Sequence, residues 1–316
     1  MSNNSTMATY CSFEEVDRLM TSLELVIYIP IFLMGLVLNT LALVVFCVLL
    51  RKWTESTIYM TNLALMDLLL LLLLPFKMHA TNNQWSPKHR LLCSFLESMY
   101  FVGMYGSIYT IVCIAVDRWV AIKHPFRAKQ LRSPQAALGT CVLVWFLTLG
   151  GISPIYGFRQ AGDEDFHCFH GFSEKGWTPA VVGCLEVFGF LGPALVLVGC
   201  SVQSVKTLKN SGQERRACER IIYSSLCAFL LPFTPSHLAI LLQFLVWLFY
   251  NHIHNITYTQ VFEGFMIWLY GTKLSKLSLM AKYVDCTCGV YLFVFTFLTV
   301  DGVAVTSATY FLSVFP

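Results

Sequence analysis

Leu91 to Lys123 reads LLCSFLESMYFVGMYGSIYTIVCIAVDRWVAIK, and the interpretation of this stretch decides the fold. A cysteine stands near its start, apolar or small residues follow with Glu97 as the one charge before Asp117, and Asp117-Arg118 marks the far end. A helix of about 20 predominantly apolar residues crosses the hydrocarbon core of a bilayer, so the stretch is long enough to span and its ends face different compartments. The cysteine end suits an oxidising side. The arginine end runs into Lys123, Arg127, Lys129 and Arg132, which the positive-inside bias assigns to the cytoplasm.

Composition agrees with a membrane-embedded chain. Of its 316 residues 56% are hydrophobic and 12% charged, roughly half the charged share of a soluble globular domain, and the mean hydropathy is +0.64. An ordinary soluble domain is excluded, and an all-α polytopic membrane protein is expected. Twelve Lys/Arg fall on the side of Arg118, six on the other and three in the C-terminal region. That asymmetry, more than the net charge of +3, orients the bundle with its N-terminus outside. Most of the twelve cysteines lie inside apolar runs, where a thiol behaves as a small hydrophobe. Cys11, Cys93 and Cys168 instead fall in segments expected outside. Co-location of Cys93 and Cys168 predicts a disulfide that ties the loop QAGDEDFHCFHGFSEKGW over the mouth of the bundle.

Outward from this helix the other spans follow. Residues 1–22 are polar and read as an extracellular N-terminus without a cleaved signal peptide, carrying N-x-S/T sequons at Asn3 and Asn4. Leu25–Leu50 is span one, closed by Arg51-Lys52, and Ile58–Phe76 is span two, with Pro75 expected to kink its outer end. Gln135–Phe158 is span four, Thr178–Val205 span five, and span six lies between Ile221 and about Phe249, bent at Pro232 and Pro235. Asn255-Ile256-Thr257 offers a further sequon outside. The bundle is taken to extend over residues 23–280. Tyr258 to about Leu279 and the apolar stretch Cys286–Pro316 both compete for span seven, and residues 281–316 form an atypical apolar segment. Span two carries a single charge, Asp67. An ionisable group at that depth is costly and faces the bundle interior, so a cation or proton site is favoured over a merely hydrogen-bonded carboxyl. Asn39 of span one is its expected polar neighbour.

Spans one to six resemble rhodopsin-like, class A G-protein-coupled receptors, motif by motif. The matching residues are Asn39 in GLVLN, Asp67 in NLALMDLLL, Cys93, Asp117-Arg118-Trp119, Trp145, Pro193 and Pro235, in order on successive spans. Within the family, RKWTESTIYMTNLA and AVDRWVAIKHPFRAKQLRSP are similar to the kynurenate-responsive receptor, while YFVGMYGS, EVFGFLGP and SHLAILLQFLV are similar to the lysophosphatidylinositol receptor. The resemblance implies a seven-transmembrane helix bundle in the plasma membrane, a heterotrimeric G protein as partner, coupling through Asp117, Arg118 and Trp119 with Asp117 paired to Arg118, and an allosteric sodium ion at Asp67 and Asn39. Two departures stand out. Trp119 replaces the usual Tyr or Phe, and the seventh-span signature, Asn or Asp with Tyr four positions later, is absent, Asp285 and Tyr291 having the wrong spacing. An alternative C-terminal exon after about Lys276 is the simple explanation, under which binding survives and signalling is impaired.

The ligand site is read from span three, where Glu97, Tyr100 and Met104 share one helical face. No aspartate stands at Tyr100, as an amine ligand would need. Lys77 near the membrane surface, His170 in the outer loop, and Phe233 and His237 of span six complete a basic mouth over an aromatic, Met-rich interior. Such a site suits an anionic lipid, for instance a lysophospholipid, or a small organic acid. The plainer alternative is a Lys77 that pairs with Glu97 or snorkels to the interface. A retinal protein would need a Schiff-base lysine deep in its last span, a transporter would show repeats or several intramembrane charges, and an enzyme a metal or nucleophile constellation. None of these patterns, no metal site and no nucleic-acid partner is indicated.

Overall fold

In hydrocarbon no water satisfies backbone N–H and C=O groups, so apolar runs of this length must pair them internally, as helices. The computed structural model describes residues 13–83, 85–158, 168–169, 178–211 and 215–256. Eight α-helices occur among them: α1 Phe13–Val44, α2 Glu55–Asn82, α3 Arg90–Lys123, α4 Pro125–Leu131, α5 Pro134–Phe158, α6 Pro179–Glu186, α7 Gly192–Ser211 and α8 Arg215–Ile256. A π-helical turn, Val45–Leu50, extends α1 and ends at Arg51 in the left-handed region (φ 48°). A second π-turn, Val187–Leu191, joins α6 to α7 into one span. Thr54 caps α2, its hydroxyl accepting from the Thr57 N–H, and Thr178 caps α6 in the same way at Val181.

Five of these segments are apolar and long enough to cross a membrane, namely Tyr28–Leu50, Glu55–Ala80, Pro87–Lys123, Pro134–Pro154 and Pro179–Lys209. Helix α8, with 42 residues, reaches about 63 Å at about 1.5 Å per residue, more than the hydrocarbon thickness. Several boundaries differ from the sequence expectation. Helix α1 begins at Phe13 rather than Leu25, since no glycine or proline intervenes before Pro30. Helix α2 continues through Pro75 to Asn82, which puts Lys77 on the helix. Asn255 sits in the last turn of α8. The seventh span, the segment 281–316, Asn3, Asn4, Cys11 and His170 lie outside the described residues.

Helix α3 is central. It packs on α2, α5, α7 and α8, and α1 covers the far side of α2. Its buried residues run along most of its length, from Cys93 through Tyr100, Met104 and Ile108 to Ala115. The α2–α3 contact is close because Gly106 offers no side chain: a Cβ there would lie 2.5 Å from the Met66 sulfur. Small residues permit such approach where helix packing, not water exclusion, drives association. Many large apolar side chains point outward, among them Leu33, Leu72, Phe146 and Leu195, as expected of a lipid-facing exterior.

Candidate functional site

At the N-terminal end of α3, Cys93 and Cys168 form a disulfide with Cα atoms 5.8 Å apart. The next residue, Phe169, adopts φ 62°, a costly conformation for an aromatic residue. Two contacts hold it there. Its N–H donates to Glu97 Oε1 at 2.5 Å, and its ring meets that of Tyr100 edge-on at 6.3 Å. Glu97, 5% exposed, therefore anchors the Cys168–Phe169 segment on α3.

Beside this anchor, the Lys77 ammonium lies 4.9 Å from the Tyr28 ring centroid and 5.0 Å from that of Tyr100. Helices α1, α2 and α3 thus converge on one cation, held by ring quadrupoles. Below it the interior is apolar and aromatic, with Met104, Tyr105, Phe229 and Phe233 in one buried cluster. His237 of α8 stacks on Phe190 at 4.8 Å, and Phe229 packs on Phe233 at 5.4 Å. His237 Nδ1 and Glu186 Oε1 are 3.3 Å apart and both residues are buried, a polar bridge from α6 to α8. The structure so brings Lys77 together with Tyr100, and links His237 to Phe233 through the rings of Phe190 and Phe229.

The π-turn sets how the α6–α7 span meets α3. Pro193 supplies no N–H and crowds the carbonyl of the preceding turn, and the wider turn Val187–Leu191 precedes it. A carbonyl there is taken by α3: Tyr109 donates its hydroxyl to Phe188 O at 2.9 Å. Gly189 is required by contact, since a Cβ would lie 2.6 Å from the Tyr105 ring.

Midway through the bundle, Asp67 is fully buried and its Oδ1 accepts from the Ser107 hydroxyl at 2.9 Å. Asn39, also fully buried, donates to Gly35 O of its own helix at 2.9 Å. Nearer the Arg118 end, Asn62 joins three helices. It donates to Thr110 Oγ1 at 2.8 Å and accepts from the Trp145 indole at 2.9 Å. Sequence reading matched Trp145 but missed Asn62, whose signal was an amide five positions before Asp67 in an otherwise apolar run.

The Arg118 end of the bundle corrects one expectation. Asp117 is not paired with Arg118. Both its oxygens are taken by Arg132, Nε to Oδ1 at 2.7 Å and Nη2 to Oδ2 at 2.8 Å, and Arg132 also lies 3.7 Å from Glu55. The Asp117 hydrogen bond, ahead of the opposing effect of burial, raises the affinity of the Arg132 guanidinium for its proton. Arg118, the next residue along α3, instead donates to Ser56 Oγ at 2.8 Å. Consecutive helical residues do not face each other, and a guanidinium from the following loop offers Asp117 a better two-point fit. Trp119 donates to Gln203 Oε1 at 3.1 Å, Lys123 reaches the same oxygen, and the Lys123 ammonium lies 5.4 Å over the Trp119 ring. The indole N–H thus gives Trp119 a polar tie to α7 that a phenyl ring would lack.

Comparison with known proteins agrees with this architecture. The profile described as 7 transmembrane receptor (rhodopsin family) matches residues 38–275. The chain is 41% identical over 246 residues to G-protein coupled receptor 55 of Homo sapiens, covering 75% of this chain and 76% of that one. It is 32% identical over 253 residues to lysophosphatidic acid receptor 6 of Gallus gallus (76% and 82%). Against G-protein coupled receptor 35 of Homo sapiens the identity is 34% over 226 residues (67% and 68%). The matched residues 38–275 include Asn39, Asp67, Lys77, Arg118 and His237. The chain is therefore a multi-pass membrane protein, not an enzyme, and belongs to the rhodopsin family of seven-transmembrane receptors.

Proposed function

We propose that the chain is a plasma-membrane receptor, N-terminus outside, that binds an anionic amphiphile of the lysophospholipid class and activates heterotrimeric G proteins. The observation that supports the ligand class is Lys77, a cation between Tyr28 and Tyr100 at the top of a buried aromatic and Met-lined interior. A phosphate would meet the ammonium while an acyl chain follows the apolar surface inward. Similarity to a receptor named for lysophosphatidic acid supports the same class. Glu97, Met104, Phe233 and His237 line or support the path in this reading, and His170 is a further proposed contact.

A ligand shifts the receptor only by binding one of its states more tightly. The Glu186–His237 bridge and the π-turn link the floor of the site to α7 and α8, whose inner ends flank Arg118: Ser201, Ser204, Ile221 and Ser225 line a narrow crevice with it. Opening that crevice would admit a G-protein segment to Arg118, with Asp117 and Trp119 fixing the end of α3. Asp67 and Ser107 present hard oxygen donors in a buried, charge-poor interior, which fits a sodium ion; Asp67, Ser107 and Asn39 would hold it, and it would supply charge compensation to the carboxylate. Asn3, Asn4 and Asn255 are the proposed glycosylation acceptors.

The test is nucleotide exchange on purified heterotrimeric G proteins added to the full chain in lipid nanodiscs. Lysophosphatidic acid and lysophosphatidylinositol are each compared with an uncharged monoacylglycerol. Exchange stimulated by the anionic lipids alone is expected. Equal stimulation by the uncharged lipid would refute the ligand class, and no stimulation by any would refute the signalling reading.

A further inference from the structure

Helix α4 poses a packing problem. It has seven residues, too few to persist on its own propensity, and among its described side chains only Ala128 is buried. Phe126 is 88% exposed and Leu131 64%, so apolar burial does not hold it in place. At its start it is continuous with α3, His124 N–H donating to Val120 O and Ala128 N–H to His124 O. Its other end is Arg132, whose N–H closes the last turn on Ala128 O while its guanidinium forks onto Asp117 and reaches Glu55.

We propose that Arg132 is a positioning residue for G-protein coupling, clamping α4 against α3 and α2 through Asp117 and Glu55. The inference rests on the receptor reading above and adds to it a residue outside the Asp117-Arg118-Trp119 motif. The clamp has two consequences. It fixes the surface that Phe126 and Leu131 present to the cytoplasm, and it occupies both oxygens of Asp117 while Arg118 bonds Ser56. The pair is partly shielded, with side-chain exposures of 24% for Arg132 and 8% for Asp117, and a planar fork on a carboxylate specifies direction as well as attraction. A lysine could keep the charge but not both bonds.

The experiment uses the full chain in nanodiscs and three variants: Arg132→Gln, Arg132→Lys and the charge swap Asp117→Arg/Arg132→Asp. Amide hydrogen exchange over residues 125–131 reads the clamp without a G protein. Nucleotide exchange on added G protein reads its use, and binding of labelled lysophosphatidic acid reports the outer site. Arg132→Gln is expected to speed α4 exchange roughly tenfold and to lower coupling while lipid binding holds. Arg132→Lys should fall between, and the charge swap should restore α4 protection. Unchanged α4 exchange in Arg132→Gln, failure of the swap to restore it, or a loosened α4 with coupling unchanged would each overturn the proposal. Activity of the unaltered chain tests the receptor reading, whereas the ratio of variant to unaltered chain tests this one, so the two failures are distinct.

Discussion

Replacing Lys77 by methionine keeps most of the stem and removes the charge. In the structure the ammonium stands 4.9 Å and 5.0 Å from two ring centroids, contacts worth about 0.5–1 kcal/mol each where water reaches them and about 2 when desolvated. Their loss lowers the stability of the outer bundle and, by itself, leaves the preference between charged and neutral lipids untouched. A hydrogen bond from the ammonium to a phosphate contributes roughly 1.5–3 kcal/mol, which converts to about a 10- to 150-fold loss of potency. The assay is concentration–response for lysophosphatidic acid in G-protein nucleotide exchange, at matched surface expression, with Lys77→Arg as the control that keeps charge. Lys77→Met should shift the curve by that factor, and Lys77→Arg should retain most of the response because a guanidinium also grips phosphate. Unchanged potency in Lys77→Met would refute the head-group assignment and leave Lys77 an interfacial cation.

Other outcomes follow from the interior. Asn62→Leu strands the Trp145 indole N–H, and thermal denaturation in detergent should show a loss of about 1 kcal/mol; unchanged stability would mean that the three-helix node contributes nothing. Replacing choline chloride by sodium chloride at constant ionic strength should lower agonist potency in the unaltered chain and leave Asp67→Asn indifferent. Equal sodium responses in both would remove the ion from Asp67.

Long-range order was legible in the sequence because hydrophobic length and charge placement act independently of partners. The run from Leu91 to Lys123 and the Cys93 and Cys168 pair led to the helix and the disulfide found, and Asp67 faces the bundle interior as its depth requires. Boundaries were less legible: α2 passes Pro75 because one missing hydrogen bond does not end a packed membrane helix. Side-chain partnership was legible least. Asp117 and Arg118 are adjacent in sequence and invite pairing, yet helical geometry points them apart and Arg132, fifteen residues on, takes the carboxylate. Asn62, joining residues 48 and 83 positions away, and Phe169, with its left-handed backbone against Glu97, depend on which helices become neighbours, which periodicity does not encode. The third span's ends were assigned from charge, and the resemblance added roles without geometry.

All of these roles require that α3 carry its disulfide end and its Arg118 end on opposite sides of the plasma membrane. Epitope tags inserted at Ser86, before α3, and at Ser133, after α4, measure this directly by antibody labelling of intact and permeabilised cells. The tag at Ser86 should be labelled on intact cells and the tag at Ser133 only after permeabilisation. Labelling of both from the same face would contradict the account.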